Sequence, residues 1–206
     1  MKNVLTTLLA SCILTTTAIA APMTITIAGT QGPSVVAPIT FKMPDISMTK
    51  DFTAVDDQGN KYPVTVQNGH AIIVAPTASS AVTYTLKKAK RSKLNIKKDN
   101  SENRLDVTLG NELFTAFHYQ DERVKPILWP LYADGEAPIS RDWPMGEKNK
   151  TGDHPHHESF YTAYGDINDT DFWAFSSNKG YEKTTSVEFT SGAAYATINA
   201  KLTWQK

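Results

Sequence analysis

The chain has 206 residues, and its 21 lysine and arginine side chains balance 21 aspartates and glutamates. A hydrophobic share of 40% is enough for a packed core and argues against whole-chain disorder. The zero net charge argues against a dedicated nucleic-acid binder, which needs a basic surplus to neutralise phosphates. A single cysteine, Cys12, excludes an internal disulfide framework and any cysteine-based zinc site.

Residues 1–20 are not expected to belong to the fold. Lys2 precedes an apolar, threonine-containing run that ends Ala18-Ile19-Ala20 before Ala21-Pro22. That order of charge, short apolar stretch and A-x-A site predicts a secretory signal peptide cleaved after Ala20, hence a secreted or periplasmic protein. A lipoprotein signal through Cys12 is the competing assignment, but the apolar run continues past it to Ile19. Cleavage after Ala20 leaves no cysteine in the mature chain. No later run is long and apolar enough to span a bilayer as a helix.

The next stretch reads as short strands. Residues 23–28 alternate as a half-buried strand does, and residues 38–43 form a second extended run. Residues 61–67 and 70–75 flank Asn68-Gly69, a type I′ hairpin signal because both turn positions need positive φ. In residues 81–86, Val82, Tyr84 and Leu86 share a face. No helical period competes, so a small β-sandwich is expected over residues 21–98. It ends in a lysine-rich run, residues 87–98, read as a solvated linker or exposed strand edge in preference to a polyanion patch.

Residues 99–206 form a second β domain in this reading. Gly110-Asn111 separates two strands at residues 104–109 and 112–119. Residues 124–132 are apolar but carry Pro126 and Pro130, as an edge strand or irregular segment does. Residues 133–158 show little periodicity. A last hairpin pairs residues 185–190 with the alternating set Ala194, Ala196, Ile198, Ala200, Leu202 and Trp204 across Ser191-Gly192.

The chemistry is concentrated in this half. Only four aromatic residues (Phe41, Phe52, Tyr62 and Tyr84) precede Phe114, and His70 is the one histidine before His118. Gly152-Asp153-His154-Pro155-His156-His157-Glu158 places three imidazoles between two carboxylates. Pro155 disfavours a helical His154, so the segment is extended or a turn. If extended, His154 and His156 project to one side and His157 to the other. Such a pair can chelate a divalent metal. Alternatively, Asp153, His154, His156 and His157 supply general acid and base groups. Arg141 is a candidate clamp for a carboxylate or phosphate, competing with a loop salt bridge. Trp143, Tyr161 and Trp173 are candidate sugar-stacking surfaces, with Asp166 and Lys125 as polar binding partners. Phe172 reads as core and His118 as structural. Dinucleotide, Walker, nucleophile-elbow and H-E-x-x-H motifs are absent.

The segments KPILWPLY, PISRDWP and GDHPHHESFYTAYGDINDTDFW resemble, in order and spacing over residues 104–206, a family of uncharacterised secreted bacterial proteins. This DUF6807-like family has a D-H-P-H-H-R-G-L-W block and is often labelled methane oxygenase PmoA. The label implies a multi-span membrane subunit, which a chain without a spanning run does not fit. The resemblance implies an all-β protein. A small N-terminal β-sandwich would precede part of a galactose-mutarotase-like super-sandwich, in a setting of polysaccharide degradation. It implies a carbohydrate partner and, if the protein is an enzyme, a hydrolase, lyase or epimerase; the other implication is a non-catalytic glycan-binding protein. Two positions depart from the pattern: Glu158 stands where the family has arginine, and Tyr164 where it has a later histidine. An altered site is therefore expected. Family members continue well beyond the position of Lys206, so a C-terminally truncated domain is also expected.

Overall fold

The structure is a computed structural model that describes residues 22–46, 48–89, 93–133, 137–142, 154, 156–174 and 177–206. Among these residues the chain is all-β, with antiparallel sheets and no helix. It divides into two compact units, Met1–Lys93 with Ser191–Ala196, and Leu94–Thr190 with Thr197–Lys206.

The first unit is a six-stranded sheet built from β1 (Thr24–Ile27), β2 (Val36–Lys42), β3 (Lys50–Val55), β4 (Lys61–Gln67), β5 (His70–Pro76) and β6 (Val82–Lys88). The strand order is β1-β6-β3-β4-β5-β2. Period-two alternation aims Ile25 and Ile27, Ala71, Ile73 and Ala75, and Tyr84 and Leu86 into one core with Val64, Val66 and Phe41. The β4–β5 turn is the one its sequence encodes: Asn68 and Gly69 have φ of 51° and 75°, so both occupy the left-handed region. Strand β3 is not apparent from composition, yet it lies between β4 and β6 in the sheet.

Thr65 is buried on the same strand as Val64 and Val66, which needs a polar explanation. Its hydroxyl donates to Asp51 Oδ1 at 2.7 Å and accepts the Ala194 N–H at 2.9 Å. Asp51 Oδ1 also accepts the Ala193 N–H at 2.8 Å. Gly192 fits here because a Cβ would come within 2.4 Å of Thr65 Cγ2. These bonds make Ser191–Ala196 part of the first unit and correct the expected Ser191-Gly192 turn. The loop runs through Ala194 and Ala196, which are therefore not strand residues.

The second unit contains β7 (Leu94–Asp99), β8 (Arg104–Leu109), β9 (Glu112–His118), β10 (Ile127–Ala133) and β11 (Ala137–Pro138) in one sheet of order β11-β10-β9-β8-β7. Lys97 and Lys98 of the lysine-rich run lie on the edge strand β7. The register between β9 and β10 shifts between Leu128 and Leu131, around Pro130, which has no N–H to give the ladder. Two short strands, β12 (Asp166–Ile167) and β13 (Thr170–Asp171), form a tight hairpin. Its turn residues Asn168 and Asp169 have φ of 52° and 59°, again a type I′ pattern. The long strands β14 (Tyr181–Thr190) and β15 (Thr197–Gln205) pair with each other.

Replacing Thr65 with valine should keep the packing volume but strand the Ala194 N–H. The expected cost is about 1–3 kcal/mol of stability in denaturant unfolding, with Thr65→Ser close to the unmodified chain.

Candidate functional site

The site lies in the second unit and is built on two buried cations two residues apart. Arg123 is buried, and its Nη2 donates to Glu158 Oε2 at 2.8 Å while Nε donates to the Lys125 carbonyl at 3.1 Å. Lys125 is 1% exposed. Its Nζ donates to the carbonyl of Trp173 at 2.9 Å, with that of Phe172 at 3.5 Å, and stands 4.2 Å from the centre of the Tyr161 ring. Arg123 thus fixes the segment after the histidines, and Lys125 fixes the segment carrying Trp173. Burial lowers the pKa of both cations, and neighbouring carboxylates oppose the shift: Glu158 for Arg123, and Glu182, Glu158 and Asp171 for Lys125.

The histidine segment is a turn. His154 has a φ of 46°, and the His157 N–H donates to the His154 carbonyl at 3.0 Å. Of the two expected forms, extended or a turn, this closure is the turn, so His157 is not sent to the opposite side from His154. Instead the two rings stack at 4.6 Å with an 8° interplanar angle. His156 stands edge-on to both, at 5.7 Å from His154 and 4.4 Å from His157. One ring nitrogen from each of the three lies within 4.8 Å of the others. Burial pushes the His156 pKa down, and the other two imidazoles and Lys125 push it further.

Beyond the turn, Ser159 has a φ of 55° and its hydroxyl donates to the Leu128 carbonyl at 2.7 Å, with Ser140 Oγ at the same distance. Leu128 and Phe160 then exchange backbone bonds of 2.8 and 3.4 Å, which ties the segment to β10.

Trp173 is placed from the other side. Asp171 Oδ1 accepts the N–H groups of Trp173 and Ala174 at 2.8 and 3.0 Å. Phe172 is buried as expected and packs on Gly180, where a Cβ would come within 2.2 Å of its ring. Trp173 is 46% exposed, and its ring lies 6.4 Å from that of His156 and 6.0 Å from that of His157.

Of the sequence candidates, His154, His156, His157 and Trp173 come together, with Lys125 and Tyr161 beside the anchored segments. Asp166 is exposed on β12, paired with Asp171 across the small hairpin. Arg141 is half-buried and near enough to Tyr161 to favour its phenolate, against burial and Glu158. Asp153 and Trp143 lie outside the described residues. Glu158, read only as a departure from the family pattern, is the partly buried partner of the buried Arg123.

Sequence reasoning missed Glu182, 3% exposed on β14. Its N–H donates to the Val124 carbonyl at 2.8 Å and its Oε2 accepts from Thr162 at 3.2 Å, while Oε1 has no hydrogen-bond partner among the described residues. Burial raises its pKa, opposed by the Thr162 bond and Lys125. A glutamate beside a lysine in a polar stretch reads as solvent-facing, so only strand alternation hinted at it.

The fold and site define an all-β protein whose second unit displays an imidazole turn beside an exposed indole. Residues 104–206, half of the chain, match a family of unknown function (DUF6807), and the chain belongs to that family. No curated protein and no solved structure matches it.

Glu158→Ala leaves Arg123 buried without its carboxylate and should cost about 3–5 kcal/mol in urea unfolding. The double change Arg123→Met with Glu158→Leu should recover most of that loss, because no uncompensated charge remains. A second expectation concerns His118, which is buried on β9. Its Nε2 donates to the Trp129 carbonyl at 2.8 Å, and its Nδ1 faces the Gln120 amide nitrogen at 3.4 Å, an arrangement that suits the neutral ring. Burial lowers its pKa, so the folded form binds the proton less readily than the unfolded chain. Its stabilising contribution is then complete above the ordinary histidine value of about 6.5 and is lost as pH falls through the folded value. Thermal melts should show an acid limb that is shallower in His118→Gln, which keeps a donor for Trp129 and does not titrate.

Proposed function

We propose that this is a secreted or periplasmic protein that acts on a glycoside or polysaccharide at the histidine turn. The observation that carries the reading is the pairing of titratable and stacking groups. The indole of Trp173 is 46% exposed within 6.4 Å of two imidazoles. An aromatic face accepts the apolar face of a sugar ring. A neutral imidazole held beside that ring can take or return a hydroxyl proton near neutral pH. Export is supported by the charged, apolar and A-x-A pattern of residues 1–20.

One observation favours a second reading, glycan binding without turnover. The carboxylate of Glu158, next to the histidines, is committed to Arg123, so it is not presented as one of the two carboxyl groups that a glycosidase pair uses.

Turnover and binding are to be measured on an oligosaccharide panel with the full chain. Turnover abolished by His156→Ala, together with binding weakened by Trp173→Ala, supports the catalytic reading. Binding that needs Trp173 and survives replacement of all three histidines supports the second. Neither turnover nor binding on any glycan overturns both. Expression in an exporting host should yield a mature N-terminus at Ala21, and retention of residues 1–20 in the exported protein would overturn the leader assignment.

A further inference from the structure

We propose that His154, His156 and His157 form a three-imidazole site for one borderline divalent transition-metal ion such as Zn²⁺, with a coordination position left open beside Trp173. The argument starts from ligand count. At the spacing of these three histidines, i, i+2 and i+3, a helix or a strand would put only two on one face, so the third has to come from the chain's path. Here the turn supplies it, because the bond from His157 N–H to the His154 carbonyl folds the segment back on itself. One nitrogen from each ring then lies within 4.8 Å of the others.

Tetrahedral coordination at the usual metal–nitrogen length of about 2.0–2.1 Å sets ligand nitrogens roughly 3.3 Å apart. Separations of up to 4.8 Å therefore have to shorten on binding, which turning the imidazoles about their side-chain torsions can supply. His154 and His157 stack parallel to within 8°, and His156 is close to perpendicular, at 84° and 76° to them; because an imidazole binds a metal in its ring plane, one of the stacked pair has to turn about its side-chain torsions for the three to share an ion. Three imidazoles without thiolates favour zinc, copper, nickel or cobalt over calcium and magnesium, which prefer oxygen donors. The segment is also held from outside the turn, by Glu158 on Arg123 and by Ser159 on the Leu128 carbonyl. Three protein ligands leave a position for water or substrate, which is the arrangement of catalytic zinc sites. The indole of Trp173 carries no ligand atom for such an ion, and at 6.0–6.4 Å from two of the rings it walls that position.

The inference deepens the glycan reading of the same turn and rests on it only for the use of the open position. Metal titration requires no glycan, so either can fail alone. Full-length protein made without a histidine tag is stripped with a chelator and titrated with Zn²⁺ by calorimetry. One ion per chain is expected. His154→Ala, His156→Ala and His157→Ala should each weaken binding by about tenfold or more, the scale on which even outer-shell changes act. His70→Ala, on β5 of the other unit, should bind as the unmodified chain does. As a second measurement that does not depend on any variant folding, Co²⁺ is added to the unmodified chain, and ligand-field bands of a four- or five-coordinate nitrogen-rich site are expected. Absence of saturable Zn²⁺ binding, absence of those bands, or a folded His157→Ala chain that binds Zn²⁺ unchanged overturns the proposal.

Discussion

The site depends on the burial of two cations in the short sequence Arg123-Val124-Lys125. A buried guanidinium or ammonium is costly unless its hydrogen bonds are made, and each of these finds them on a different distant segment. Arg123 reaches a carboxylate at Glu158, and Lys125 reaches the carbonyl of Trp173. One short stretch therefore draws the histidine segment and the tryptophan segment toward the same region. The neighbouring Val124 carbonyl adds the Glu182 N–H, and Lys183 Nζ donates to the carbonyls of Arg123 and Asp121, so β14 is bound to the same stretch.

This arrangement gives a physical sense to Glu158. A cation in its place, facing the buried Arg123, would bring like charges together where solvation is poor. Glutamate turns that encounter into an ion pair. The carboxylate that follows the histidines is thus committed to structure. What remains around the open side of the turn is imidazole and indole.

The hairpins of this fold were legible because their signals are local. Asn68-Gly69 specifies its turn through two left-handed residues, and the flanking alternation specifies which faces are buried. The Lys50–Val55 strand escaped notice because Lys50 and Asp51 look like surface residues. Asp51 is instead the acceptor for Thr65 and Ala193. The last loop was misread for the same reason: Ser191-Gly192 resembles a hairpin turn, but Gly192 is there to let Thr65 approach. In the site, the histidine cluster could be found from composition alone. Its shape could not, because it follows from a left-handed His154 and from partners 31 and 35 residues away in sequence, at Leu128 and Arg123.

Charge balance carries the same lesson to the level of chemistry. The equal totals of acidic and basic side chains describe a surface average, whereas here two cations and two carboxylates, Arg123, Lys125, Glu158 and Glu182, are withdrawn from water together. Their opposing fields limit one another: carboxylates hold Lys125 and Arg123 toward their charged forms, and Lys125 holds Glu182 toward its own. The histidines lie at the margin of this group, where burial and the neighbouring positive charges of Lys125 and the other imidazoles favour the neutral ring at His156, against Asp171. A neutral imidazole is the form that accepts a proton, so the buried Lys125 that fixes the Trp173 segment also helps keep His156 in the state acid–base chemistry requires.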